Sequence, residues 1–209
     1  MVKVPKFIKK IFCNQVWDIP NSENKIYLTF DDGPTPLVTE WVLDVLEREN
    51  IKATFFCIGN NIEKHPDILK KTIAAGHSIG NHTFNHLKGW KTSTKKYLEN
   101  VDLCSNIIQQ FTIKNLHSSL YRPPYGKIKT KQTKLLRAKG FKVIMWDVLS
   151  KDYDQAISPE KCLENTKKTT SGSILVFHDS LKAQKNLEYT LPKAIKFLKE
   201  KGFVFDTIN

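Results

Sequence analysis

Four short segments carry side chains able to do chemistry: Thr29-Phe30-Asp31-Asp32-Gly33-Pro34, His82-Thr83-Phe84-Asn85-His86, Arg122-Pro123-Pro124-Tyr125-Gly126 and Leu175-Val176-Phe177-His178-Asp179. Together they offer carboxylates, imidazoles and a guanidinium, the inventory of metal-assisted hydrolysis. A pair such as Asp31-Asp32 is costly unless a cation separates the roles, one carboxylate ligating and the other staying free as a base. Adjacent residues on a strand point to opposite sides, so both reach one site only where the strand ends and bends. Gly33-Pro34 supplies that bend. The competing reading is a solvated turn with a helix-capping aspartate.

His82 and His86 stand at i,i+4, which puts both imidazoles on one side of a helix or a tight turn. Two imidazoles and one carboxylate make an open three-ligand site for zinc or a similar divalent ion, with room for water. His65, His77 and His117 have no partner at that spacing and read as structural or surface groups. In the Arg122-Pro-Pro-Tyr-Gly turn, two prolines fix the backbone and remove two donors, leaving the Tyr125 N–H as the next one. A fixed N–H beside a metal is what an oxyanion needs. Arg122, facing the site, would hold a carboxylate ionised. The plain alternative is a structural turn. His178 follows an apolar strand and is either a satisfied core residue or a proton donor at a shared mouth. In the second case Asp152 would orient it and raise its pKa. Trp146 either packs in the core or lines a pocket for an apolar group such as a methyl.

Side chains so far apart in sequence meet only if the fold gathers the ends of several strands. Strands are predicted over 26–30, 53–58, 141–146, 173–177 and 203–207, and strand-like stretches lead into His82 and Arg122. Helices are predicted from Thr35-Pro36 onward, with Pro36 at the first helical position, and over 66–75, 95–111, 130–139, 159–169 and 187–201. Successive β-then-α units imply parallel strands with helices outside. An open doubly wound sheet and a barrel both fit, and candidates that follow several different strands favour the mouth of a barrel.

The chain's 209 residues, 40% of them hydrophobic, suit one domain with a sizeable core. Residues 1–24 read as an N-terminal arm and 25–209 as the catalytic body. The net charge of +12 comes from 33 Lys and Arg against 21 Asp and Glu, with lysine spread over many helices. It reads as a basic solvated surface, or as attraction to an anionic polymer or a membrane. No nucleic-acid partner is expected. Cys13, Cys57, Cys104 and Cys162 form no C-x-x-C pair, which argues against a thiolate zinc site. Cys57 and Cys104 fall on apolar faces and are expected to be buried thiols, fitting a reducing compartment. Basic residues interrupt the first thirteen positions, so no signal-peptide core forms. No run approaches the roughly 20 apolar residues of a membrane span. The expected location is the cytoplasm or the inner membrane face, with at most a weak membrane-surface contact through the amphipathic N-terminus. A monomer is expected.

The ordered set T-F-D-D-G-P, H-T-F-N-H, R-P-P-Y-G, Trp146 with Asp152, and a late buried strand ending in His178 resembles the polysaccharide deacetylases of carbohydrate esterase family four. The motifs run from Thr29 to Asp179 and cover most of the chain. The resemblance implies a distorted, incomplete (β/α) barrel, often seven-stranded. It implies that Asp32, His82 and His86 bind a divalent ion, with zinc the default and cobalt or nickel able to fit. Asp31 would be the catalytic base, held ionised by Arg122, and the Tyr125 N–H would share in binding the oxyanion. His178 would be the general acid, oriented by Asp152. Trp146 and Val176 would form the groove for the acetyl methyl. Two positions depart from the family: Val176 stands where leucine is common, and Tyr153 where tryptophan is common. The implied reaction is removal of N-acetyl groups from a glycan containing N-acetylglucosamine. Rival readings are a same-fold hydrolase of a non-sugar amide or an O-acetyl ester, and a basic binding module that has lost chemistry.

Overall fold

Residues 25–31 alternate in what they bury. Ile26, Leu28 and Phe30 pack into the large cluster under the helices, while Tyr27 belongs to a separate interior cluster. That alternation makes the segment a strand covered on both faces. The structure, a computed structural model, describes residues 1–111 and 119–209. His117 and the start of the stretch leading into Arg122 lie outside the described residues. The described chain runs α1 (Lys6–Ile11), β1 (Lys25–Asp31), α2 (Val38–Arg48), β2 (Thr54–Cys57), α3 (Gly59–Lys64), α4 (Pro66–Ala74), β3 (Ser78–Asn81), α5 (Thr94–Gln109) and β4 (Leu120–Tyr121). It continues through α6 (Thr130–Ala138), β5 (Lys142–Val143), β6 (Val148–Leu149), α7 (Pro159–Thr166), β7 (Ile174–His178), α8 (Gln184–Glu200) and β8 (Val204–Asp206).

Seven strands follow the order β5-β4-β3-β2-β1-β7-β6, all parallel, and β8 pairs with the first residues of β1. This is the distorted, incomplete α/β barrel that the sequence implied. The two end strands, β5 and β6, are joined by residues 144–147 alone. The first residues of the chain lie across this gap. Val16 N–H donates to Val143 O at 2.8 Å, and Met145 N–H donates to Val16 O at 2.7 Å. Lys3 bridges Val148 in antiparallel fashion. Val4 and Trp17 are buried with Met145 in a small cluster that Ile8 and Trp146 cover.

Three elements differ from expectation. The strand expected over 141–146 stops at Val143 and a second begins at Val148, because Ile144 pairs with Val16 and the Met145 carbonyl turns inward to accept from Arg122. The helix after Gly33-Pro34 starts at Val38 rather than Pro36. Leu37 takes a left-handed φ of 66°, and the Thr39 hydroxyl is drawn into a bond with the Thr35 N–H at 2.7 Å. Gly59–Lys64 is a helix in a stretch for which no element was predicted. The long helix α8 runs unbroken through Pro192.

Register then sets up the site. Asp31 is the Cα partner of His178 across β1 and β7, and Asn81 partners Cys57 on one side and Tyr121 on the other. The carboxyl ends of these five strands are level, so residues just beyond them converge on one mouth.

Candidate active site

Asp31 ends β1 and the chain bends at once. Asp32 adopts a φ of 84°, a backbone conformation that costs an aspartate free energy and needs outside support. That support comes from three directions. Asn61 Nδ2 donates to the Asp32 carbonyl at 2.7 Å, and the Ile58 N–H donates to the Gly33 carbonyl at 2.9 Å. The Gly33 N–H donates to Asp179 Oδ1 at 3.0 Å, and Asp179 Oδ2 accepts from the Thr39 hydroxyl at 2.6 Å. A Cβ on Gly33 would lie 2.0 Å from Asp179 Oδ2, so only glycine fits there. Gly33→Ala is expected to cost about 1–3 kcal/mol through overpacking. At roughly 2–4 °C per kcal/mol for a chain of this size, calorimetry should show a midpoint lowered by about 2–12 °C.

The double-histidine segment is a turn rather than a helix. Thr83 and His86 have φ of 64° and 54°. Asn81 Oδ1 accepts from the Thr83 N–H at 2.8 Å, and Asn100 Oδ1, from α5, accepts from the N–H groups of Phe84 and Asn85 at 3.0 Å each. His82 is buried, and its Nδ1–H donates to the Arg122 carbonyl at 2.8 Å, which leaves Nε2 free to face the cleft. Burial pushes the His82 imidazole down to about 4, so it is neutral at pH 7 with an available lone pair.

His82 Nε2 and His86 Nε2 lie 3.6 and 3.2 Å from Asp32 Oδ1. No contact is aligned as a hydrogen bond, and Oδ1 is buried without a hydrogen-bond partner. Burial favours the neutral form of Asp32, but the adjoining His86 imidazole and the charge of His178 outweigh it and hold the carboxyl well below its usual range. One ligand atom from each of Asp32, His82 and His86 falls within 4.8 Å of the others, the cluster of this kind found among the described residues. Two imidazole lone pairs and an orphaned carboxylate oxygen facing each other repel unless a cation sits between them. The donor set therefore fits a divalent ion.

Arg122 is fully buried at the end of β4. Its Nη1 donates to Asp31 Oδ1 at 2.7 Å and to Thr29 Oγ1 at 2.8 Å, and its Nη2 donates to the Met145 carbonyl at 3.0 Å. The guanidinium lies 4.0 Å over the Phe56 ring. Burial lowers the arginine's pKa while Asp31 opposes the shift. Across the cleft, Asp152 is fully buried and grips His178 twice. Its Oδ1 meets His178 Nδ1 at 2.8 Å and its Oδ2 accepts from the His178 N–H at 2.7 Å. Ser150 Oγ donates to the same Oδ1 at 2.9 Å, and Asn186 Nδ2 donates to the Asp152 carbonyl at 3.0 Å.

A cleft of about 350 Å³ is lined by nine of the eleven residues singled out from the sequence: Asp31, Asp32, His82, His86, Tyr125, Trp146, Tyr153, Val176 and His178. Arg122 and Asp152 stand directly behind it. Tyr125 has a φ of 59° and its ring lies 4.5 Å from that of His86. Tyr153 meets His178 edge-on at 4.8 Å. Leu149 and Lys182 also line the cleft. Neither was legible from the sequence, and the same holds for the supports Thr39, Asn61 and Asn100. Asp179 was visible only as the neighbour of His178. His77 is structural, as expected: it is buried and its Nδ1 accepts from the Ala53 N–H at 3.1 Å. Cys57 and Cys104 are buried free thiols.

Residues 18–144 match the family model described as polysaccharide deacetylase. This chain belongs to the polysaccharide deacetylase family. Among its relatives, a peptidoglycan-N-acetylglucosamine deacetylase of Bacillus cereus is 34% identical over 195 residues, covering 92% of this chain and 90% of that protein. The peptidoglycan-N-acetylglucosamine deacetylase PgdA of Listeria monocytogenes is 32% identical over 93% of this chain, which spans 41% of that longer protein. In structure, the polysaccharide deacetylase fold superposes on the Bc1960 peptidoglycan N-acetylglucosamine deacetylase, solved with 4-naphthalen-1-yl-N-oxidanyl-benzamide. The TM-score is 0.89 at 30% identity, covering 98% of this chain and 95% of that one.

Proposed function

We propose that this chain hydrolyses N-acetyl groups on N-acetylglucosamine-containing glycan, of the peptidoglycan or chitin-like kind, and releases acetate. The observation that carries this is the pairing of Asp31 with His178 across adjacent parallel strands, beside three convergent ligand atoms. Asp32, His82 and His86 would hold the ion, zinc first and cobalt or nickel as substitutes. When bound, the ion supplies Lewis acidity that polarises the acetyl carbonyl and makes water a better nucleophile.

The remaining steps belong to the chain's own groups. Asp31, held in place by its hydrogen bond from Arg122, takes the proton of the attacking water. The Tyr125 N–H, presented by the Pro-Pro turn, donates to the carbonyl oxygen as it becomes an oxyanion. His178 is tied through Nδ1 to Asp152, so its Nε2–H is the proton that reaches the leaving amine. Trp146 and Val176 enclose the acetyl methyl, and Tyr153 borders the sugar. The cleft is complete within one chain, which supports a monomer as the acting unit.

Protein loaded with zinc, cobalt or nickel is expected to release acetate from N-acetylglucosamine oligomers and to carry about one ion per chain. Chelation should abolish turnover and lower the unfolding midpoint, because ion binding is coupled to the folded state. Acetate released from acetylated polyamines or O-acetylated sugars, with none from N-acetylglucosamine oligomers, would overturn the substrate reading.

No helix among the described residues is long and apolar enough to cross a membrane. A membrane-surface contact is supported by α1. Phe7, Ile11 and Phe12 are exposed beside the exposed Lys6 and Lys10. Ile8 and Lys9 fasten the opposite face to the body, Lys9 reaching Asp147 at 2.6 Å. A rigidly held apolar ridge flanked by lysines suits an anionic lipid surface. Co-sedimentation with phosphatidylglycerol vesicles is expected. It should weaken with salt, and Phe7→Ser with Ile11→Ser should abolish it.

A further inference from the structure

The proposed reaction leaves unused a set of lysines on both banks of the cleft. On one bank, Lys88 Nζ stands 4.7 Å over the ring of Tyr125, which itself lines the cleft. Farther along, Lys127 Nζ stands 4.0 Å over the ring of Trp90. The two loops are one surface. Trp90 Nε1–H donates to the Ile128 carbonyl at 3.0 Å, and Gln132 Nε2 donates to the Gly89 carbonyl at 3.1 Å. Tyr125 and Trp90 are more than half exposed, at 56% and 57%. On the opposite bank, Lys182 lines the cleft with its Nζ 5.9 Å over the Tyr153 ring.

Elsewhere some lysines of this chain are neutralised. Lys3, Lys9, Lys25, Lys70, Lys71, Lys139, Lys167 and Lys199 each contact a carboxylate. Lys88, Lys127 and Lys182 have no carboxylate within salt-bridge distance among the described residues. A lysine ammonium held over an aromatic face keeps its charge positioned at the surface and open to an anionic group. Three such pairs around one mouth suit a polymer whose sugars carry negative charge at their rims.

We infer that Lys88, Lys127 and Lys182, each over an aromatic ring of the cleft or its rim, form subsites for a glycan bearing carboxylates next to the N-acetylated sugar, and that they set the enzyme's preference for it over a neutral chitin-like oligomer. This deepens the proposed function and rests on it. The carboxylates stay solvent-accessible at the rim, so each contact is modest alone and screened by salt. Their sum is read mainly in KM, since the lysines sit away from the Asp31–His178 pair and stabilise ground and transition states alike.

The test compares three substrates of matched length: a neutral N-acetylglucosamine oligomer, a peptidoglycan glycan strand with free muramyl carboxylates, and the same strand with those carboxylates amidated. The ratio of kcat/KM, carboxylated over neutral, should exceed one at low salt, fall with ionic strength, and fall on amidation. In Lys88→Gln/Lys127→Gln/Lys182→Gln that ratio should drop about tenfold, as three exposed charge contacts imply. A ratio unchanged by the triple substitution, or by amidation, overturns the inference while leaving the deacetylase reading intact. Binding of the two strands to Asp31→Asn protein is measured in parallel. Salt-sensitive preference for the free-carboxylate strand there upholds the inference even if no substrate is turned over. Equal binding of free and amidated strands defeats it.

Discussion

Replacing Asp31 with asparagine is expected to lower kcat by about a thousandfold on N-acetylglucosamine oligomers, within the range typical for loss of a general base. The side chain keeps its shape and can still accept from Arg122 Nη1, the contact that is 2.7 Å in the native protein. What it loses is the charge that takes water's proton. The loss has a second effect. Arg122 is fully buried, and Asp31 is the carboxylate that offsets its charge. Removing one partner of a buried ion pair commonly costs about 3–5 kcal/mol, and the amide's remaining dipole keeps the cost near the lower end. The unfolding midpoint should therefore fall by several degrees while circular dichroism at 25 °C stays native. Near-native turnover by a folded Asp31→Asn protein would remove Asp31 from the role of base.

Asp152→Asn is expected to act through His178. In the native protein the His178 imidazole is pushed up to about 9. Burial of the ring works against this. The charge and hydrogen bond of Asp152 outweigh burial, and Asp32 and Asp31 add to them. The protonated form is the acid, so activity should persist below this value and fall as pH rises through it. A cation at Asp32 offsets some of that negative charge, so the alkaline limb of the ion-loaded enzyme lies somewhat below 9. Without the Asp152 charge, the opposing effect of burial brings the imidazole back toward its ordinary value near 6.5. The limb moves to lower pH, and kcat at pH 7 falls about a hundredfold. Stability follows the same sign. A group whose folded pKa is raised contributes stability that is fully present below pH 6.5 and is lost between there and about 9. Urea titrations at pH 6 and pH 9.5 should thus converge in the variant relative to the native protein. An unmoved alkaline limb would mean that another group gives the proton.

The candidate site residues were legible because each sits in or beside a short motif. Asp31-Asp32 before Gly-Pro, the histidine pair and the Pro-Pro turn are each ambiguous alone and gain their meaning from their order along the chain. The supporting groups were not legible, because each arrives from elsewhere in the chain. Asn61 steadies the Asp32 carbonyl from α3, Asn100 holds the His82–His86 turn from α5, and Thr39 reaches Asp179 from α2. The break between β5 and β6 was hidden for the same reason. Residues 141–146 read as one apolar strand until Val16 claims Ile144 and Arg122 claims the Met145 carbonyl. Lys182 carries no motif at all and enters the cleft only through the turn after β7.

The central place of β1 also orders events in time. Its partner β7 lies far along the chain, and the Gly33–Asp179 contact that braces the bend spans 146 residues. A ribosome must therefore deliver most of the polypeptide before Asp31 and His178 can meet. Pairings of such long range are slow to form, because loop entropy is lost before contacts compensate for it. Until then β1 can pair only with β2, leaving its other edge bare. The nascent chain passes through an interval in which its central strand is half-covered, and the burden of avoiding self-association falls on that interval rather than on the finished molecule.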